Sequence, residues 1–248
     1  MQSKTILIFL LLWSCFSFSK TEKEVDLSVF ENDSVYSCAI SNFDDYVYSE
    51  YLLLNNPSLP YEAFKQGLTG YHNLIQRGEL PREDYLTIID FSQPSSNERM
   101  YIIDMCEHKI IHQTYVAHGR NSGGLYARHF SNEDNSHKSS IGFYVTTTTY
   151  TGKYDLALRL KGMEYTNSHA SRRGVVMHAA KYANPDFLEA NGCTLGRSYG
   201  CPALPEKNFN QVVDWIKEGT CMFIYYPSRS YKRHSKYLNR RNYLVEFV

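Results

Sequence analysis

The chain has 248 residues, enough for one large domain or for one domain with an appendage. Hydrophobic residues make up 43% of it, charged residues 21%, and Lys+Arg equals Asp+Glu. A sizeable core is therefore available, while the balanced charge excludes any argument for a nucleic-acid or charged-membrane partner, and no nucleic-acid partner is expected. Tyrosine is abundant, with 21 copies, which suits a strand-rich extracytoplasmic protein.

At the start, Lys4 precedes an apolar run from Ile6 to Trp13 that is too short to span a bilayer. Small residues follow, then the charged stretch Lys20 to Glu24. Residues 1–19 thus have the layout of a secretory signal peptide, with Ser17-Phe18-Ser19 at the cleavage position. Leu12-Trp13-Ser14-Cys15 alternatively resembles a lipoprotein cleavage box, which would put a lipid anchor on Cys15, although Trp13 fits such a box poorly. A buried N-terminal strand or helix is the bland alternative. Either export reading puts the expected place outside the cytoplasm, in the periplasm or cell envelope, and no later segment is apolar enough to be a transmembrane span. Without Cys15, five cysteines remain (Cys38, Cys106, Cys193, Cys201 and Cys221), and an odd count leaves at least one thiol outside any intramolecular pair.

Residues 26 to about 55 read as weakly structured. A helix follows, with Ser58 as a candidate cap, Pro60 near the first turn, Phe64, Leu68, Tyr71 and Ile75 on one face, and Gly78 at the end. Residues 20–84 are expected to form a small helical appendage. From Tyr85 the texture is β, and residues 85–227 read as the main domain. Strands are predicted at 86–91, 99–104, 110–116, 143–149, 156–160, 175–178 and 222–226. The polar stretch from Gly119 to Ser140 is long enough to suggest a functional loop. Phe209, Val212, Val213 and Ile216 mark one further helix, and residues 228–248 form a basic tail read as a solvated edge.

Two residues carry candidate chemistry. Cys201 follows Ser198-Tyr199-Gly200, where a glycine permits a tight turn and lets backbone N–H groups converge on an oxyanion. His178 ends the apolar run Gly174-Val175-Val176-Met177 and is the candidate general base. Taken singly, His178 reads first as a hydrogen-bonded structural histidine and Cys201 as a buried thiol or half-cystine. A nearby imidazole would hold the thiol as a low-pKa thiolate.

Together the runs Val176-Met177-His178-Ala179-Ala180 and Gly196-Arg197-Ser198-Tyr199-Gly200-Cys201-Pro202-Ala203-Leu204 resemble the active-site signature of L,D-transpeptidases, most of all the murein L,D-transpeptidase catalytic-domain-like branch of the YkuD-like cysteine transpeptidases. Residues 116–123, 130–132 and 136–144 resemble that branch too, and the likeness runs from about residue 60 to 227. It implies a mostly β fold, a β-sandwich with a mixed sheet, plus a small N-terminal helical segment. It implies action on peptidoglycan stem peptides through a Cys201 thioester, with D-alanine leaving and an amine or water resolving the acyl-enzyme, and no metal or cofactor. By matching position, Cys201 is the nucleophile, His178 the base, and Ser198, Tyr199 and Gly200 the active-site loop and part of the oxyanion hole.

Many members of the family carry an arginine two residues after the cysteine, where this chain has Ala203. Arg197, Arg173 and Arg120 are the candidates to bind a substrate carboxylate in its place, with His118 and Ser140 as further candidates to line the cleft. His129, His137 and His169 read as solvated. A disulfide between Cys193 and Cys201 would silence the nucleophile. Two other classes compete: a non-catalytic wall-binding module, and a papain-like protease, against which the His-before-Cys order counts.

Overall fold

The computed structural model describes residues 42–152 and 155–239. The expectations for the signal peptide, Cys15 and Cys38, and the last two arginines of the basic tail, lie outside the described residues. Among the described residues no helix is long and apolar enough to cross a membrane.

Eight strands form one mixed sheet: β1 (Tyr85–Asp90), β2 (Met100–Asp104), β3 (Lys109–Thr114), β4 (Gly142–Gly152), β5 (Asp155–Gly162), β6 (Val176–Ala179), β7 (Ala203–Leu204) and β8 (Cys221–Tyr225). Their order across the sheet is β3-β2-β1-β8-β4-β5-β6-β7. Two pairs are parallel, β1 with β8 and β6 with β7; the rest are antiparallel. The centre is covered on both faces: all five residues of β8 and all but the first of β1 are buried. Hence β8 reads as an unbroken apolar run rather than an alternating one, and β1 buries Thr87 and Asp90 along with its apolar residues. Beyond β3 the chain crosses to the far edge, where Ala117 bridges Ala203 and Gly119 bridges Ser198. The two ends of the strand order are thereby stitched together, and the segments that carry His178 and Cys201 lie at the stitch.

Helix α1 (Phe43–Leu54) begins at Asn42, whose side chain accepts from the Asp45 N–H, and ends at the left-handed Asn55. Its presence corrects the expectation of weak structure up to residue 55. Val47, Glu50 and Leu54, spaced three and four apart, form its buried face. The predicted long helix is α2 (Tyr61–Gln76), with Pro60 rather than Ser58 at the cap position. Its buried face includes Phe64, Leu68, Tyr71 and Leu74. A Cβ on Gly70 would stand 1.9 Å from the Phe143 ring, so glycine is what lets this helix lie directly on the sheet. Leu68 shares one core with Ile88, Phe143 and Phe223. The boundary expected at residue 84/85 is therefore absent, and the helices belong to the main domain.

Helices α3 (Pro185–Ala190), α4 (Phe209–Ile216) and α5 (Arg229–His234) complete the fold. The four apolar residues named for α4 are all buried. In the basic segment, by contrast, Tyr231 and Tyr237 are 2% and 0% exposed. Tyr231 and Ser235 donate to the buried Glu164 carboxylate, Tyr237 donates to Glu79, and Asn73 of α2 donates to the Tyr237 carbonyl. The described part of that segment, expected to be a solvated tail, is a clasp across the sheet and α2. Its Lys and Arg side chains face outward while the tyrosines between them enter the core.

Candidate active site

Strand β6 carries His178 and pairs in parallel with β7, His178 opposite Ala203. Cys201 stands two residues before Ala203, as Val176 does before His178, so the same register puts Cys201 beside Val176 on the face that His178 occupies. The contacts agree: the Val176 N–H points at Cys201 Sγ at 3.5 Å, and Sγ faces the Gly174 carbonyl at 3.7 Å. The His178 N–H reaches the Pro202 carbonyl at 3.4 Å. His178 is 3% exposed, and its Nδ1 donates to the Ala179 carbonyl at 2.9 Å. That bond sets the tautomer and leaves the ring lone pair on Nε2.

Burial raises the Cys201 pKa above the ordinary thiol value, opposed by the Val176 N–H, the Arg173 charge and the cysteine's own N–H. Burial lowers the His178 pKa, opposed by its bond to Ala179. Both shifts favour the neutral form of each group at rest, against the low-pKa thiolate expected from the sequence.

The loop before Cys201 is held from inside. Ser198 Oγ donates to the Cys201 carbonyl at 2.6 Å and accepts from the Gly200 N–H at 3.0 Å. The Gly200 N–H, expected to face an oxyanion, is thus engaged by Ser198. Gly200 has φ +125°, and a Cβ there would stand 2.8 Å from the Lys138 carbonyl, so no other residue fits without displacement. Behind it, buried Ser139 donates to the Gly200 carbonyl and accepts from the Gly119 N–H, while its own N–H reaches Ser122 Oγ. Ser139 ties three segments together, and sequence reading missed it.

The remaining candidates separate by geometry. Arg173 donates from its two terminal nitrogens to the Ser131 and Lys138 carbonyls and to Ser140 and Ser136 Oγ, at 2.5–3.1 Å. Those four bonds leave no fork for a carboxylate, so its expected role as a carboxylate clamp gives way to fixed positive charge beside the thiol. Ser140 is 2% exposed and holds Arg173 and the Ser131 carbonyl; it supports the cleft rather than lining it. His118 is 1% exposed, with Nδ1 against Arg99 at 2.9 Å and Nε2 toward the Gly123 carbonyl. Burial first, then Arg99, lowers its pKa to about 4, so it is a neutral structural residue and not one that meets substrate.

Arg99, which sequence reading also missed, is wholly buried and donates to the Val116 and Gln93 carbonyls. On the outer side, Tyr199 is 61% exposed, with the Arg120 guanidinium 5.8 Å from its ring and the His137 ring at 4.5 Å. His137, expected to be merely solvated, thus packs on the loop. Arg197 is exposed, with one bond to the Gly123 carbonyl. Among the described residues Cys106, Cys193, Cys201 and Cys221 are all free thiols, so the structure holds no Cys193–Cys201 disulfide.

Among solved structures, the chain is similar to an L,D-transpeptidase from Mycobacterium smegmatis (11% identity, TM-score 0.36, covering 58% of this chain and 59% of that one). It is similar to one from Mycobacterium tuberculosis (14%, 0.37, 58% and 58%) and to Bdellovibrio bacteriovorus Bd1075 (18%, 0.37, 61% and 53%). The chain thus spans less than two thirds of the length of each, and at these scores the likeness adds no weight of its own. Among curated proteins no relative matches. The sequence profile described as the L,D-transpeptidase catalytic domain matches residues 55–225, a span containing both β6 and the Cys201 loop, and the chain belongs to that family.

Proposed function

We propose that the protein acts on peptidoglycan stem tetrapeptides as a cysteine L,D-transpeptidase or L,D-carboxypeptidase, with Cys201 as nucleophile and His178 as base. The observation that carries this reading is the β6–β7 register, which sets the Cys201 thiol at the Val176 N–H on the face of the strand that bears His178.

From the neutral resting state, Nε2 of His178 takes the thiol proton as Sγ attacks the carbonyl carbon of the third stem residue. The oxyanion forms beside the Tyr199–Cys201 loop, where backbone N–H groups other than that of Gly200 receive it, each worth about 3 kcal/mol in such a setting. The carbon–nitrogen bond breaks, the protonated imidazole returns its proton to the departing D-alanine amine, and a thioester remains on Cys201. An amine of a second stem peptide, or water, then gives a proton to His178 and attacks the thioester, and the thiol is restored. Arg173 favours the sulfur's transient negative charge without touching substrate. Arg120 and Arg197, exposed on either side of the loop, are the cations left to meet the substrate's carboxylates. An exported enzyme at the cell envelope is the setting this substrate requires.

Acylation tests the reading. Protein incubated with tetrapeptide and quenched in acid gains the mass of the tripeptide acyl group on the peptide that contains Cys201. His178→Ala slows this step by about 10²–10⁴-fold. Acylation at full rate in His178→Ala removes the histidine from the mechanism; a label on another residue removes Cys201.

A further inference from the structure

Away from the thiol, an open pocket of about 430 Å³ is lined by residues 128, 130–132, 141, 165–166, 226, 228 and 230–231. Its walls are aromatic. The Phe130 and Tyr226 rings stand 4.7 Å apart, and Tyr165 at the rim is 53% exposed. Ser131, Thr166, Ser228 and Ser230 belong to the same lining. A hydroxyl offers one donor and two lone pairs, so the single internal bonds that Ser131, Thr166 and Ser228 make do not saturate them. Among the described residues no carboxylate lines the pocket, and Arg128 is its one charged member, drawn aside over the Tyr126 ring at 5.7 Å.

Flat apolar faces set among neutral hydrogen-bonding groups match a sugar ring, which presents C–H faces and hydroxyl edges. A fatty chain would leave the hydroxyls desolvated and unpaired, and an anionic peptide would find only Arg128. The pocket also adjoins the Cys201 loop. Ser131 lines it; the Ser131 carbonyl accepts from Arg173; and Arg173 in turn holds the Lys138 carbonyl that packs on Gly200. The Ser131 and Lys138 carbonyls, joined by one guanidinium, therefore link the pocket to the loop. In a stem tetrapeptide, three residues lie between the glycan and the bond after residue three, and extended they span about 10 Å.

We propose that this pocket is a glycan subsite, holding an N-acetylhexosamine ring of the strand that bears the reacting stem peptide. This rests on the reading of the chain as a peptidoglycan enzyme, but sugar binding is measurable without turnover. Saturation-transfer NMR of the protein with chitotriose, an N-acetylhexosamine trimer without any peptide, should show contact with the sugar. Tyr165→Ala should weaken it about tenfold, and Tyr48→Ala, an exposed tyrosine on α1, should leave it intact. In turnover, a disaccharide-linked tetrapeptide should have a KM several-fold below that of the free tetrapeptide, and Tyr165→Ala should erase that gap. Sugar contact with no turnover of either substrate keeps the subsite and overturns the catalytic reading. Equal turnover of both substrates with no sugar contact keeps the enzyme and overturns the subsite. Pocket resonances that move with free tetrapeptide and not with chitotriose make it a peptide site and overturn the proposal as well.

Discussion

At the residue scale, the proposed chemistry rests on two side chains whose burial pushes them toward neutrality. The Cys201 pKa is raised and the His178 pKa lowered, so thiolate is scarce near neutral pH and appears as pH rises. Alkylation of Cys201 by iodoacetamide in the free protein should therefore climb through pH 9 without a plateau near neutrality. A plateau below pH 7 would mean a standing thiolate–imidazolium pair. Turnover should lose its acidic limb only below the ordinary histidine value of about 6.5, where His178 becomes protonated. Arg173→Met should slow alkylation at pH 8 several-fold by removing the charge that favours thiolate, and Arg173→Lys should recover only part of it, since an ammonium cannot make four bonds in that plane. His118 gives a stability prediction of definite sign. Its pKa is about 4 folded against about 6.5 unfolded, so the unfolded chain binds the extra proton first, and stability is lost as pH falls from 6.5 to 4. The loss approaches about 3 kcal/mol for this residue alone. A urea midpoint unchanged over that range would contradict the buried neutral assignment. Cys201 and His178 stand out in the sequence because a thiol after a glycine turn and a histidine closing an apolar strand are local patterns. Arg99 and Ser139 do not stand out: their roles consist of bonds to backbone groups up to 61 residues away, which no local pattern encodes.

Between residue and fold stand the two-residue strand β7 and the α5 clasp. β7 is too short to show any period, yet its pairing with β6 is what aligns Cys201 with the strand of His178. Ser139 holds the loop against that pair. Ser139→Ala would leave the Gly119 N–H and the Gly200 carbonyl without their buried partner, at about 2 kcal/mol, and acylation should fall with it. A full-rate variant of lower stability would confine Ser139 to folding. The clasp was hidden for another reason: Tyr231, Ser235 and Tyr237 are interleaved with Lys232, Arg233, His234 and Lys236, so composition reads as a solvated tail while the tyrosines and serine point inward. Truncation after residue 227 should expose Glu164 and Phe223 and lower the thermal midpoint sharply; an unchanged midpoint would return the segment to a tail.

For the molecule as a whole, the strands from β1 to β6, β8 and the helices α2 and α4 were legible to within a few residues, because burial sets their apolar patterns. The domain boundary was not. The step from helical to β texture at residue 85 is real, but α2 lies with Gly70 against β4, Gly67 against β1 and β8, and its leucines in the same core, so the texture changes inside one domain. Closure of the strand order by residues 117–119 was equally invisible, since it depends on single bridges between segments about 80 residues apart. That closure brings the Cys201 loop, the His178 strand and the Ser139 turn to one place, and the central claim concerns what happens there. Mass spectrometry of tetrapeptide muropeptides incubated with the protein and with Cys201→Ala tests it most directly. The account predicts loss of D-alanine or formation of 3-3 dimers with the intact thiol alone; muropeptides left unchanged by both proteins, yet bound by both, would contradict it and make the fold a wall-binding module.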